Sequence, residues 1–355
     1  MIELRINNEK YNRWISASIS RSIDNASGDF SLTTAEVVAR VGDSVDILVD
    51  GKNYIKGFVD SIGATNGIDG KTFDIFGRDR IADLIDSSLP DGVKNFKSGS
   101  TIENIIRKIL DALDMKDVEI INQAGTIKPF SSMEIVAGGA GANAFDLISN
   151  YARKRGVFLN SDGNGNLILF KISGDVFQEF NFNRENILES QLEINHSERF
   201  NRYVVKSQAQ STSDWGSSTS SVFRRGNAGD KNIRAQRYME IVAEESMSNA
   251  ECLTRANEES NIRRARSLSY TLKVPGFAQN GKIYEVGKGA RVNDAELGVF
   301  GSFLIKSIGF SEDENGKTTD LVLTYPDAYS LEAEITMKSM KRIDLNNYLS
   351  KKDGW

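Results

Sequence analysis

Catalysis needs a base, a nucleophile, a metal or a phosphate cradle, and few residues in this 355-residue chain could supply one. His196 is the only histidine, so a cluster of histidine metal ligands is excluded and a Ser-His-Asp triad would depend on that ring alone. It falls where the chain reads as a strand edge, and a surface residue is the simpler account. Cys252, the only cysteine, sits on a predicted helix and needs no role beyond that of a small buried side chain. The glycine-rich AGGAGANAF (137–145) runs into a helix but lacks the Gly-Lys-Ser/Thr ending of a P-loop and the dinucleotide pattern. A loop with Asn143 as helix cap is expected there. Paired acids such as Glu244/Glu245 and Glu258/Glu259 read as helical or loop surface, whereas a glycosidase needs two carboxylates facing each other across a cleft. The basic run NIRRARS (261–267) follows Glu-Glu-Ser and reads as a mixed-charge helix face. No catalytic, cofactor-binding or metal-binding residue is assigned, and no cofactor is expected.

The totals point the same way. The chain is 39% hydrophobic and 26% charged with a net charge of −5, a balance that makes no case for binding nucleic acid or a membrane surface. Its length calls for two or more domains. No apolar run reaches 18 residues, so no membrane insertion is expected. The start, MIELRINNEKYNRW, is charged and alternating, unlike a signal peptide. With one cysteine no internal disulfide can form, and folding in a reducing cytoplasm is expected.

The elements that would position any site change character along the chain. WISASISRSID and SVDILVDGKNYIKGFVDSIGAT alternate with period two, with turns at Asp50-Gly51 and Asp69-Gly70, and predict short strands in a small barrel or sandwich. SGSTIENIIRKILDAL places Ile102, Ile105, Ile106, Ile109, Leu110 and Leu113 on one helical stripe behind a capping box from Ser100 to Glu103. NAFDLISNYARKRG is a second helix, closed by Gly156, and VFLNSDGNGNLILFKI is a hairpin. Strands return from about residue 191. The polar stretch 207–232 reads as a long loop or mobile arm, and Ser248 with Glu251 opens a further helix.

Two stretches are written twice. SIGATNGIDGKTFDI (61–75) and SIGFSEDENGKTTDL (307–321) align without a gap at an offset of 246, with seven of fifteen positions identical. NNEKYNRW (7–14) and HSERFNRY (196–203) align at an offset of 189. Between the echoes the offset grows by 57 residues, which the polar stretch and its helix accommodate. The expectation is an α+β, mainly β chain. Two similar small β-barrel domains, 1–92 and 191–327, arise by internal duplication and flank a small α/β domain, 93–190. An insertion, 210–266, interrupts the second barrel. Residues 328–355 follow as an arm whose Met337, Met340, Ile343, Leu345, Tyr348, Leu349 and Trp355 either dock on a partner or fray.

This succession resembles the baseplate hub proteins of contractile phage tails, the Mu-type, late-control-D-like family. The resemblance is carried by GFVDSIG…GKTFDIFGRDRIADLIDSS, by NAFDLISNYARKRGVFLNSDGNGNLILF, and by the run from NAECLTRANEES to GKTTDLVLTY. It implies a virion protein of the tail baseplate, assembled in the host cytoplasm as a homotrimer. Three chains would present six similar barrels, adapting a six-fold tail tube to a three-fold central spike around a channel that DNA merely crosses. Partners would be the spike, the tube and other baseplate proteins. The alternative is a cell-wall hydrolase or glycan-binding tail protein.

Overall fold

The computed structural model describes residues 1–68, 70–93, 96–131, 141–172, 178–209, 222–243, 247–326 and 329. The first unit is all strand: β1 (Ile2–Ile6), β2 (Glu9–Tyr11), β3 (Trp14–Ser22), β4 (Asp29–Thr34), β5 (Ser44–Val49), β6 (Lys52–Gly67) and β7 (Gly70–Asp79). The middle unit holds α1 (Ile81–Asp86), α2 (Ile102–Ala112), β8 (Ile120–Asn122), α3 (Ala144–Arg153), β9 (Phe158–Ser161) and β10 (Leu167–Phe170). Next come β11 (Gln178–Asn183) and β12 (Glu189–Ile194), then an excursion through β13 (Arg202–Ala209), β14 (Val222–Gly229), β15 (Tyr238–Val242) and α4 (Asn249–Arg266). The chain returns with β16 (Leu268–Pro275), β17 (Ala278–Gln279), β18 (Lys282–Ile283), β19 (Gly289–Asp294), β20 (Val299–Asp313) and β21 (Gly316–Thr324).

Most of these strands belong to one 13-stranded sheet running β12-β16-β21-β20-β3-β4-β7-β6-β5-β1-β2, with β19 also on β20 and β11 on β19. Period-two alternation turns one face inward: Phe30, Leu32, Ile55 and Ile75 from the first unit share a core with Tyr270, Leu272, Phe303, Phe310 and Leu321 from the last. Phe310 packs edge-on against Tyr54 at 4.9 Å, so the two ends of the sequence are bonded through side chains as well as backbone. Within the sheet the order β5-β6-β7-β4-β3 recurs as β19-β20-β21-β16-β12, antiparallel at every step. The repeated hairpin keeps its register. Ser61 faces Phe76 as Ser307 faces Val322, and each ladder shifts by one residue just before that serine.

Neither half closes into the expected small barrel. Alternation decides which side chains face inward, but a strand's free edge carries no sequence mark for where it will pair. The first half opens into the second through the antiparallel β3·β20 ladder. In the second half, among the described residues, β12 and β19 have no ladder between them, and side chains bridge that gap. Ser190 Oγ on β12 and Tyr270 OH on β16 both donate to Asp294 Oδ2 on β19, at 2.8 and 2.6 Å.

The boundaries also move. Among the described residues β13 pairs only with β14 and β15, in a separate three-stranded sheet. The excursion therefore leaves after Ile194, earlier than residue 210, and the echo at 196–203 opens β13 rather than a counterpart of β3. That counterpart is β12. At the other boundary, Ile81 and Leu84 of α1 pack with α2, α3, β9 and β10, so the middle unit begins near residue 81. Its own sheet ends with β10, because β11 and β12 already belong to the large sheet.

The helices form for the reasons their sequences suggest. Ile102, Ile105, Ile106, Ile109 and Leu110 of α2 are all buried on one stripe. The cap is Thr101, whose side chain accepts from Asn104 N–H; the expected Ser100 stands one residue outside. Asn143 caps α3 as expected, accepting from Asp146 N–H at 2.9 Å, and Ser248 and Glu251 make a full capping box on α4.

Candidate assembly interfaces

Among the described residues, His196 and Cys252 are both committed to structure. His196 Nε2 receives a hydrogen bond from Arg199 Nη1 at 3.0 Å, and burial, then the Arg199 charge, hold the ring below its ordinary pKa. Arg199 in turn donates to Asp230 Oδ2 through Nε and Nη2, at 3.1 and 2.6 Å, and to Ser267 Oγ at 3.3 Å. Ser267 spends its own proton on the Arg264 carbonyl at 2.6 Å. The group ties the segment just after β12 and the excursion to Ser267, the residue just before β16, and forms a clamp. Cys252 is buried among Tyr203, Val205 and Ala256, and burial pushes its thiol up, away from thiolate reactivity.

Glu259 is engaged by Arg263 at 3.2 Å and Arg255 at 3.5 Å, whereas burial pushes Glu258 up. Both line a cleft of about 1160 Å³ between the middle unit and α4, together with Arg153, Lys171, Glu193 and Arg266. Charges of both signs line it, and two of its lining residues, Arg263 and Glu198, pair at 2.9 Å. Adjacent positions on a helix diverge by about 100°, so Glu258 and Glu259 do not face one another. Glu244/Glu245 and residues 137–140 of the glycine-rich stretch lie outside the described residues. Among the described residues no three His, Cys, Asp or Glu side chains gather as for a metal, and no helix is long and apolar enough to cross a membrane.

What the fold does present is sheet edge and sheet face. The solvent face of the first unit exposes Ile15, Phe58 and Phe76. Beyond Phe58 the strand β6 has β7 on one side and, among the described residues, no strand on the other. β12 is one terminus of the large sheet's main strand order, its burial alternating exposed and half-buried. Sequence reading missed both edges. A signal existed inside the echo itself, since SIGATNG carries no charge where the aligned SIGFSED carries two. In the second copy Glu312 is used at the internal junction, accepting from Ile2 N–H at 2.6 Å.

The expected docking residues Met337, Met340, Ile343, Leu345, Tyr348, Leu349 and Trp355 lie outside the described residues. Tyr329, the last described residue, is anchored: its OH donates to Asp24 Oδ1 at 2.7 Å and its ring meets Phe158 edge-on at 5.6 Å.

Two β arrangements of one strand order are thus joined edge to edge and separated along the chain by an α/β unit. Residues 1–79 match the family described as Mu phage baseplate assembly protein GpP-like, N-terminal, and residues 81–171 match the baseplate hub protein gp44-like second domain. The chain therefore carries, in sequence, two domains of the Mu-type baseplate hub proteins. It is 23% identical over 360 residues to baseplate hub protein gp44 of Escherichia phage Mu, covering 97% of this chain and 93% of that one. The crystal structure of the 43 kDa tail protein of prophage MuSo2 from Shewanella oneidensis superposes with a TM-score of 0.79 at 23% identity, over 92% of this chain and 98% of that one. A tail protein from Neisseria meningitidis MC58 does so at 0.76 and 17% identity, with the same coverage. The two matching families end near residues 79 and 171, where the pairing also divides the units.

Proposed function

We propose that this chain is the structural hub of a contractile phage tail baseplate, a non-catalytic homotrimer that adapts a six-fold tube to a three-fold spike. The observation that carries the reading is the recurrence of five strands in one order and one hairpin register within a single chain. A chain with two similar β units, which we read as an internal duplication, offers six similar units when three copies close a ring. The central opening would pass DNA without binding it, consistent with the absence of a basic excess in a chain of net charge −5. Residues 328–355 leave from the anchored Tyr329 and serve as an arm to the spike or a neighbouring subunit. The protein would assemble in the host cytoplasm and act in the virion tail. Solution mass with negative-stain imaging tests this: a three-fold ring with six similar lobes is expected, and a monomer at micromolar concentration would overturn it.

A further inference from the structure

The same strand junction is made once inside the chain and left half-made twice. Inside, the outer part of β20 pairs with β3: Ile308 faces Arg21, Gly309 faces Ser20, Phe310 faces Ile19 and Glu312 faces Ala17. Among the described residues, the corresponding part of β6, Ser61 to Asn66, is paired with β7 alone, and β12, the counterpart of β3, with β16 alone. One chain therefore carries one unfilled copy of each side of the junction.

We propose that β6 of one copy pairs antiparallel with β12 of a second copy, repeating between chains the β20·β3 junction made within one. The proposal rests on the ring reading above and supplies its contacts. The register follows from shared partners. Ile19 lies opposite Phe30, which lies opposite Gly77; Leu192 lies opposite Tyr270, which lies opposite Leu323. Gly77 and Leu323 are the same hairpin position at the offset of 246, so Leu192 stands where Ile19 stands. Carrying the internal pairs across places Ile62 opposite Ile194, Gly63 opposite Glu193, Ala64 opposite Leu192 and Thr65 opposite Gln191.

The side chains fit that register. Ile62, Leu192 and Ile194 already pack against the core yet stay partly exposed, and pairing would bring them together on the inward face. Ser61 to Asn66 bears no charge, so no like charges meet, and Gly63 leaves room beside Glu193. An uncharged exposed edge is what β proteins ordinarily guard with charge or cover, so an edge left this way is suited to pairing. The backbone is also set. Ile23 N–H donates to Lys306 C=O at 2.9 Å, and antiparallel alternation from that bond turns Ile308 and Phe310 toward β3. Their counterparts Ile62 and Ala64 thus point their N–H and C=O outward.

Two variants of the full-length protein test the interface. Thr65→Cys with Gln191→Cys, in a Cys252→Ser background, creates a non-hydrogen-bonded pair with Cα atoms about 4.5 Å apart, within disulfide range. Mild oxidation should give interchain dimers and closed trimers on a non-reducing gel. The pair Thr65→Cys with Glu189→Cys, two residues out of register, should cross-link at least roughly tenfold less. Ala64→Pro removes an outward donor without touching the β7 ladder, and should convert trimer to monomer with an unchanged circular dichroism spectrum. If the wild type is a trimer but the Thr65→Cys/Gln191→Cys variant fails to cross-link or cross-links only within a chain, or the Ala64→Pro variant stays trimeric, this interface is overturned and the ring reading stands. A monomeric wild type overturns both.

Discussion

Replacing Arg199 by methionine probes how the excursion is fixed to the main sheet. Arg199 and Asp230 are 7% and 6% exposed, and the guanidinium binds one carboxylate oxygen twice while also reaching His196 and Ser267. Without it, Asp230 keeps only the Asn232 N–H on its other oxygen, at 3.1 Å. A buried ion left without its partner typically costs about 3–5 kcal/mol, whereas replacing both partners by apolar groups of similar volume is often close to neutral. Arg199→Met should therefore lower stability by about 3–4 kcal/mol, and Arg199→Met with Asp230→Leu should recover most of that loss. Urea unfolding of the full-length protein, followed by circular dichroism, reads both values. If the single variant lost less than about 1 kcal/mol, or the double variant were no better than the single, the clamp would not be what holds the excursion.

Tyr270→Phe removes one charge-assisted hydrogen bond from Asp294 and should cost roughly 1.5–3 kcal/mol at pH 7. Burial pushes the Asp294 carboxyl up, but hydrogen bonds from Tyr270, Ser190 and the Leu297 and Glu296 amides outweigh it and hold the group below its ordinary value. A depressed carboxyl contributes stability above its unfolded pKa of about 3.9 and loses it as pH falls through the folded value, so the gap between wild type and variant should shrink in acid. Equal gaps at pH 7 and pH 3 would contradict this. Gly77→Ala puts a methyl 2.1 Å from the Phe58 carbonyl and 2.4 Å from the Phe30 ring, and should destabilise by about 3 kcal/mol or more. The matched control is Gly309→Ala, whose nearest atom is 3.8 Å away and whose melting point should barely move. Deleting residues 331–355 should leave a folded ring that binds the spike at least roughly tenfold more weakly, since burying three apolar side chains is worth about 4–9 kcal/mol before ordering. Undiminished binding would make those residues a frayed terminus.

Much of this protein is legible before folding, and the reason is locality. The α2 stripe from Ile102 to Leu110, the Asn143 cap and the Ser248–Glu251 capping box are each set within a few residues, by periods and hydrogen bonds the sequence states directly. The hairpin echo holds in the structure for the same cause: Gly70 and Gly316, both at positive φ, turn two ribbons in one register. The shorter echo at 7–14 and 196–203 does not mark equivalent places. Asn, Glu and Arg at a strand entrance serve any strand, and β13 reads as well for one sheet as for another. Tertiary structure alone decided that 202–209 leaves the large sheet, that the ladder stays open, and that β20 takes β3 as its neighbour across some 290 residues of chain. Edge pairing is made by backbone groups every residue carries, so side-chain pattern can set which face turns inward but not which edge is met.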